Sequence, residues 1–349
     1  MTRYTPAPLS GGADNILIIK LGALGDVVLF LPQLARILEA HPGSRVTLLT
    51  APEYAGLVAG FQRLQVVCFR RRGIREMLRL LAWLSRQTFD AVYDLQGSRR
   101  SRIMTLLTRA RWRMGRRPGL AYTHTPPAGT VALHAFERGN TVLAAAGIEP
   151  AESDWRLPVT PAVRARVNRW LQGHGMAGQP LALLHAGSSS RWPSKRWPAE
   201  HFRELAQVLA RHGMQVIWIG GTDDTGLNRM LARTSGTDAS GAFGYPELAA
   251  LAEFAVFAVT NDSGPMHILA TAGLPVYACF GPTDWRRSHA PGQESRVLRN
   301  PVPCSPCYLK SCPPERQHVC LQGISPAKVM QRLKMDGILR GEVQGKKIN

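Results

Sequence analysis

The stretch Val256–Gly281, VFAVTNDSGPMHILATAGLPVYACFG, decides the fold. Two apolar runs of strand length flank a segment with the residue spacing of a helix. We predict a strand over 256–262, a helix over 266–272 and a second strand over 276–281. Short apolar strands that alternate with helices are typical of a parallel sheet with helices packed on its faces.

The same alternation extends outward through both halves of the chain. Further strands are predicted at 15–20, 45–50, 65–69, 90–97, 181–187 and 215–221. Further helices are predicted at 27–40, 74–87, 198–212, 225–234, 246–254 and 326–335. The pattern fades across 147–180, which predicts two doubly wound α/β domains, at 1–165 and 166–325, with the segment 326–349 packing back on the first.

The 349-residue chain is strongly basic, with 43 Lys and Arg against 24 Asp and Glu and a formal net charge of +19. This excess favours an anionic partner: nucleic acid, an acidic membrane surface or a phosphorylated substrate. No recognised nucleic-acid-binding motif occurs, which argues against the first of these. Because the N-terminus lacks an apolar signal core and no apolar run reaches the ~18 residues of a membrane span, we expect a cytoplasmic protein.

Three predicted strands of the second half end in small, hydroxylic and charged side chains. The segments are HAGSSSRWPSKRWP (185–198), GGTDD (220–224) and TNDSGPMH (260–267). Hydroxyl groups, backbone N–H groups and a lysine suit phosphate oxygens, and a carboxylate suits a ribose hydroxyl. Each feature alone also has an ordinary explanation as a helix cap, a solvated lysine or a core histidine. Their convergence at one sheet edge predicts a nucleotide diphosphate site.

The segment KLGALGD (20–26) follows the first predicted strand and ends in a carboxylate. Gly22 and Gly25 permit a tight turn that brings the backbone close to a substrate. Asp26 then either caps the helix predicted over 27–40 or faces a site at the edge of the sheet. Pro32 lies inside that predicted helix and should kink it, unless the helix begins later.

Taken together and in this order, these segments resemble the heptosyltransferases of lipopolysaccharide core synthesis, glycosyltransferase family 9. The resemblance is carried by ILIIKLGALGDVVLFLPQL, DLQG, FERGNTVLAAAGI, HAGSSSRWPSKRWP, WIGGTDD, VTNDSGPMHILATAGLPVYACFGPTD and the late cysteine segment. It covers most of residues 15–335. It implies the α/β GT-B fold, in which two Rossmann-like doubly wound domains face a central cleft, the first binding the acceptor and the second the nucleotide sugar.

The resemblance also implies a reaction and a location. Members of the family transfer heptose from ADP-heptose to the lipopolysaccharide inner core, at lipid A–Kdo or at a heptose already added, with inversion and with no metal required for catalysis. The acceptor is anionic and sits on the cytoplasmic face of the inner membrane. We therefore expect a cytoplasmic enzyme held peripherally at that anionic surface by its basic residues.

Site residues follow from the resemblance position by position. Asp26 would be the catalytic base, and Lys195 would stabilise the leaving diphosphate. The expected donor-binding residues are Ser188, Ser189, Lys195, Ser263 and Gly264 for the diphosphate, Asp262 for the sugar, Asp224 for the ribose, Phe243 for the adenine, and the motif histidine His267. The ribose assignment departs from the family pattern, because GGTDD has Asp-Asp where relatives often place Glu.

Eight arginines are concentrated in 99–119. They form either a solvated helix face followed by an edge strand, or a surface on which Arg99, Arg100 and Arg102 bind the acceptor or the membrane. Four cysteines, Cys304, Cys307, Cys312 and Cys320, could stay as free thiols, bind a structural zinc or form disulfides.

Two rival functions remain open. The first is another enzyme on the same fold, either a transferase with a different NDP-sugar donor or a nucleotide-sugar epimerase. The second is a nucleotide-binding module without catalysis, held at a membrane by its basic face. The presence of both Asp26 and Lys195 argues against the second.

Overall fold

Two parallel β-sheets organise the chain, one in each of two structural units, Met1–Trp155 and Arg156–Asn349. The computed structural model of the protein describes residues 12–70, 73–127 and 134–339. Within these ranges no helix combines the length and the apolar character needed to cross a membrane.

The first unit contains a five-stranded sheet in the order β3-β2-β1-β4-β5, with all strands parallel. Its strands are β1 (Asn15–Ile19), β2 (Arg45–Thr50), β3 (Leu64–Cys68), β4 (Ala91–Asp94) and β5 (Trp112–Met114). Its helices are α1 (Leu24–Val28), α2 (Leu31–Ala40), α3 (Ile74–Arg86), α4 (Arg99–Leu107) and α5 (Ala135–Ala145). The central strand β1 is buried from Ile16 to Ile19, since helices cover both faces of a parallel sheet.

The single helix predicted over 27–40 is wrong, because the chain forms two helices there. α1 ends at Val28 and α2 begins at Leu31. Pro32 lies in the first turn of α2, where a missing backbone N–H breaks no intrahelical hydrogen bond. Pro32 therefore marks the start of a second helix and does not kink a longer one.

The second unit contains a six-stranded parallel sheet in the order β11-β10-β9-β6-β7-β8. Its strands are β6 (Leu181–His185), β7 (Gln215–Trp218), β8 (Thr237–Asp238), β9 (Ala255–Asn261), β10 (Val276–Phe280) and β11 (Val297–Arg299). Its helices are α6 (Pro161–Gly173), α7 (Ala199–Arg211), α8 (Thr225–Ala232), α9 (Tyr245–Glu253), α10 (Gly264–Ala270), α11 (Val319–Gln322) and α12 (Pro326–Met335). The β–α–β unit predicted from 256–281 is confirmed as β9, α10 and β10.

The division between the units falls at Trp155/Arg156, ahead of the boundary predicted at 165, so α6 belongs wholly to the second unit. Helix α12 also belongs to this unit and packs against α7. Val329 and Leu333 of α12 are fully buried in the same apolar cluster as Phe202 and Leu205 of α7. The described part of the segment after 325 thus extends the core of the second unit.

Candidate active site

A polar pocket opens at the carboxyl ends of β1 and β4 in the first unit, with a volume of about 490 Å³ that includes open solvent. Its lining is Lys20, Asp26, Leu29, Phe30, Gln33, Leu95, Gln96, Arg116, Ala135, Arg138 and Gly139. Strand carboxyl ends are where open α/β sheets bind their ligands. The pocket combines a carboxylate, amides and three cationic side chains, which suits a hydroxylated and anionic ligand.

Asp26 reaches this pocket from the first turn of α1 and is exposed. The capping interpretation is wrong, because Ala23 is the N-cap of α1 and no side chain caps it. Gly22 has φ of 126°, a backbone conformation that side chains with a Cβ rarely adopt, so the turn after β1 depends on this glycine.

Lys20 lies beside Asp26 in the pocket and was not predicted as a site residue. Its Nζ donates a hydrogen bond to the carbonyl oxygen of Leu95 at 3.1 Å. Burial lowers the pKa of Lys20 to about 8, although the Asp26 carboxylate acts to raise it, and Arg116 and Arg138 lower it further. The only sequence signal was a lysine placed directly after a buried strand.

Two glutamines fix the walls of the pocket. The Oε1 of Gln96 accepts from the backbone N–H of Leu21 at 2.8 Å, which ties the turn after β1 to the turn after β4. The Nε2 of Gln33 donates to the carbonyl oxygen of Phe136 at 3.1 Å and so joins α2 to α5. These bonds bring sequence segments more than seventy residues apart to one pocket.

In the second unit, the loop after β6 and the turn after β9 meet through an ion pair. The Nζ of Lys195 lies 2.7 Å from Oδ2 of Asp262, and their side chains are 20% and 6% exposed. Thr283 donates to the same carboxylate oxygen at 2.6 Å. Lys195 and Asp262, predicted separately as donor-binding residues, are therefore direct neighbours.

A buried histidine connects two other predicted donor residues. His185, the last residue of β6, places Nδ1 3.0 Å from Oγ of Ser263 and Nε2 3.7 Å from Oδ2 of Asp224. Burial acts to raise the pKa of Asp224, but His185 and the N–H of Gly221 outweigh it and hold that pKa below its ordinary value. Sequence reasoning did not assign His185 a role, although a histidine ending a fully apolar strand was the available signal.

Glycines leave the space that Asp224 occupies. A Cβ on Gly187 would overlap the Asp224 carboxylate, and one on Gly220 would lie 2.6 Å from its Oδ2. The Asp224 side chain therefore packs against the backbone of two strand-end loops, those after β6 and β7.

The remaining donor candidates lie on the same unit with different surroundings. Ser188 is half-buried and donates to the carbonyl oxygen of Trp192 at 3.0 Å, whereas Ser189 is exposed. Gly264 begins α10, and His267 is buried one turn further on. Phe243 packs edge-on against Trp170 of α6, with ring centroids 5.0 Å apart.

The arginine-rich segment forms α4 followed by β5, which is an edge strand. Arg99 and Arg100 are exposed at the amino end of α4, whereas Arg102 is half-buried and lines a second pocket of the first unit. The structure therefore separates Arg102 from the two arginines with which it was grouped.

All four clustered cysteines are free thiols, with Cys320 buried and the other three half-buried. Burial raises the pKa of Cys320 to about 11, and the thiols of Cys312, Cys304 and Cys307 add to this effect. Across 12–70, 73–127 and 134–339, no three His, Cys, Asp or Glu side chains are grouped to hold a metal.

A family model and individual relatives of this chain indicate the same protein family. The model of glycosyltransferase family 9 (heptosyltransferase) matches residues 77–318, more than half of the chain. Lipopolysaccharide heptosyltransferase 1 of Pseudomonas aeruginosa is 26% identical, over 92% of this chain and 97% of the relative. The lipopolysaccharide core heptosyltransferase OpsX of Haemophilus influenzae is 22% identical, over 80% of this chain and 81% of the relative.

Solved structures agree on the fold. A family 9 glycosyl transferase from Veillonella parvula superposes with a TM-score of 0.78 at 23% identity, covering 93% of this chain and 97% of that one. E. coli heptosyltransferase WaaC with ADP gives a TM-score of 0.69 at 22% identity, with coverages of 92% and 99%. The GT-B expectation for the fold is confirmed. On the family match and this fold, the chain belongs to glycosyltransferase family 9, the heptosyltransferases.

Proposed function

We propose that this enzyme transfers heptose from ADP-heptose to the inner core of lipopolysaccharide, with inversion at the anomeric carbon and with Asp26 as the general base. The observation that carries the proposal is the pocket at the strand ends of the first unit, where an exposed Asp26 stands beside cations and amides. The chain matches two relatives over most of their length, and both are named as lipopolysaccharide heptosyltransferases, which supports the substrate class.

A single carboxylate suits this chemistry. Asp26 takes the proton of the acceptor hydroxyl while that oxygen attacks the anomeric carbon from the side opposite the diphosphate. An inverting glycosidase needs a second carboxyl group because its leaving group is a poor alkoxide. A diphosphate leaves as a stable anion and needs charge stabilisation more than a proton.

Lys195 provides that stabilisation in the proposal. Its ammonium group is held by Asp262 at 2.7 Å, so the cation is oriented before the donor binds. Ser188, Ser189, Ser263 and Gly264 offer hydroxyl and backbone groups to the phosphates. Helix α10 has only seven residues, so we assign most of the stabilisation of the diphosphate charge to Lys195 and less to the amino end of the helix.

The other donor contacts are proposed from position. Asp224, fixed by His185 and by the glycines around it, accepts from the ribose hydroxyls. Phe243, which packs on Trp170, contacts the adenine. His267 supports the sugar–phosphate region from α10, and Asp262 meets the heptose hydroxyls. No metal takes part in this scheme, in keeping with the family resemblance.

Mass spectrometry of acceptors incubated with enzyme and ADP-heptose tests the proposal. The acceptors are lipid A–Kdo and a heptosylated core, each truncated beyond that point. We expect one of them to gain one heptose, and ADP-glucose or UDP-sugars to give no product. Transfer from another NDP-sugar with none from ADP-heptose would favour the rival enzyme. Tight ADP-heptose binding without transfer to any acceptor would favour the non-catalytic module.

We further propose that the enzyme works on the cytoplasmic face of the inner membrane as a peripheral protein. Helices α3 and α4 are neighbours, and both expose apolar side chains, including Ile103 and Leu106 at 54% and 45%. Arg99 and Arg100 are exposed on α4 as well. Apolar side chains next to arginines suit an anionic lipid surface, where each basic residue contributes about 1 kcal/mol.

Sedimentation with vesicles separates this surface from the substrate pocket. Arg99→Glu with Arg100→Glu, and separately Ile103→Asp with Leu106→Asp, should each reduce binding to vesicles that contain phosphatidylglycerol. Neutral vesicles should bind wild type and variants equally weakly. Unchanged sedimentation of both double variants would remove the proposed membrane surface.

A further inference from the structure

The first unit has a second pocket, lined by Gly97, Arg102, Arg116, Arg117 and Tyr122, with a volume of about 350 Å³ that includes open solvent. Three of its five lining residues are arginines, and among the described residues that form the lining none is acidic. Guanidinium groups repel one another when they share a site, so a bound anion would stabilise this arrangement.

Two of these guanidinium groups have buried donors without acceptors. The Nε atoms of Arg102 and Arg116 are shielded from solvent and meet no hydrogen-bond acceptor in the part of the chain that the structure describes. A buried donor of a charged group that finds no acceptor has lost its hydration without gaining a hydrogen bond, and this destabilises the folded protein. An anion bound in the pocket would supply the missing acceptors.

A neighbouring carboxylate, that of Asp94, is engaged by two residues that line the pocket. Oδ2 of Asp94 accepts from the Tyr122 hydroxyl at 2.6 Å, and its Oδ1 accepts from the backbone N–H of Gly97 at 2.7 Å. Asp94 therefore orients two lining residues, and the Nε donors of Arg102 and Arg116 keep no acceptor among the described residues.

A glycine places Arg116 between the two pockets. Gly97 has φ of 64°, and a Cβ there would lie 2.7 Å from Nε of Arg116, so the guanidinium packs directly on the Gly97 backbone. Arg116 also lines the pocket that contains Asp26. A ligand with a hydroxyl near Asp26 can thus place an anionic group within reach of the same arginine.

We propose that this second pocket binds an oxyanion of the acceptor, a sugar carboxylate or a phosphate, and that Arg116 couples anion recognition to presentation of the hydroxyl to Asp26. The proposal rests on the acceptor class proposed above. Arginine suits the task because its planar fork donates two parallel hydrogen bonds to such groups, which a lysine cannot do.

Binding of acceptor, measured by calorimetry without donor, tests the pocket. Arg102→Gln and Arg116→Gln should each weaken binding of the native acceptor by about 10- to 100-fold, as expected for a lost charge-assisted hydrogen bond. Arg45→Gln is the matched control. Arg45 is exposed at the amino end of β2, whereas the pockets lie at the carboxyl ends of the strands. Binding of ADP should be unchanged in all three variants.

Two acceptor analogues identify the oxyanion. In one the sugar carboxyl group is reduced to an alcohol, and in the other the lipid phosphates are removed. Wild type should lose affinity for only one of them, and Arg116→Gln should then bind that analogue as wild type does. Native acceptor affinity in both arginine variants, or an equal loss in Arg45→Gln, would overturn the proposal.

NMR titration tests anion binding in the second pocket independently of the transfer reaction. The Nε–H resonances of Arg102 and Arg116 should shift in NMR titrations of the whole protein with inorganic phosphate or with glucuronate, a sugar carboxylate. Shifts in a protein that transfers no heptose would retain the anion pocket and reject the proposed reaction. Heptose transfer without resonance shifts, and with no loss of acceptor affinity in the glutamine variants, would retain the proposed reaction and reject the anion pocket.

Discussion

Replacing Lys195 by Met tests the ion pair at the proposed diphosphate site. The substitution leaves the Asp262 carboxylate, which is 6% exposed, with the Thr283 hydroxyl but without its cation. Breaking a buried pair costs about 3–5 kcal/mol, and we expect about 2–3 kcal/mol here because Lys195 is one-fifth exposed and water reaches part of the site. The midpoint of thermal unfolding should fall by about 4–12 °C.

The same variant should bind ADP about 10- to 100-fold more weakly, because it loses a charged contact to phosphate. Adding Asp262→Asn should recover most of the stability, since no lone buried charge remains, but should not recover ADP affinity. Urea unfolding and ADP calorimetry measure the two effects, and Lys334→Met, at an exposed position of α12, is the control. Wild-type stability together with wild-type ADP affinity in Lys195→Met would refute this reasoning.

Two further predictions concern the two units separately. The pKa of Lys20 is about 8 in the folded protein against an ordinary value of 10.5, so the unfolded chain binds the proton more tightly and the free energy of unfolding should rise with pH between those values. Lys20→Met should remove this rise in urea titrations at a series of pH values; an identical slope in the variant would contradict the shift. Gly187→Ala should weaken ADP binding by about tenfold, as expected from loss of a charged hydrogen bond, because the new Cβ displaces the Asp224 carboxylate. Gly221→Ala, whose Cβ would meet nothing within 4 Å, should leave ADP affinity unchanged, and equal effects of the two substitutions would argue against the Asp224 contact.

The central strands of both sheets could be predicted because they are buried on both faces and therefore read as unbroken apolar runs. β1, β6 and β10 show this pattern, and each was predicted at its place. β8 and β11 have two and three residues and lie at the edges of their sheet, where such a short segment carries no apolar run to detect. The break between α1 and α2 was missed because Val27, Phe30 and Leu31 keep the helical apolar spacing across it.

Site residues could be predicted only where they lie within a segment that resembles a family motif. Asp26, Lys195 and Asp262 lie in segments that resemble family motifs, but the contact between Lys195 and Asp262 joins two of those segments and appears only in the fold. Arg116 and His185 owe their positions to residues far away in the chain. Gly97 packs on Arg116, and Ser263 contacts His185, so neither role is visible from local sequence.

Asp26 is the proton acceptor of the proposed reaction, and single-turnover transfer of heptose to the acceptor by Asp26→Asn tests this role directly. The amide keeps the shape of the side chain but cannot take a proton. We expect the rate of transfer to fall by about 10²- to 10⁴-fold, with ADP-heptose and acceptor affinities close to wild type. Transfer at the wild-type rate by Asp26→Asn would contradict the proposed mechanism.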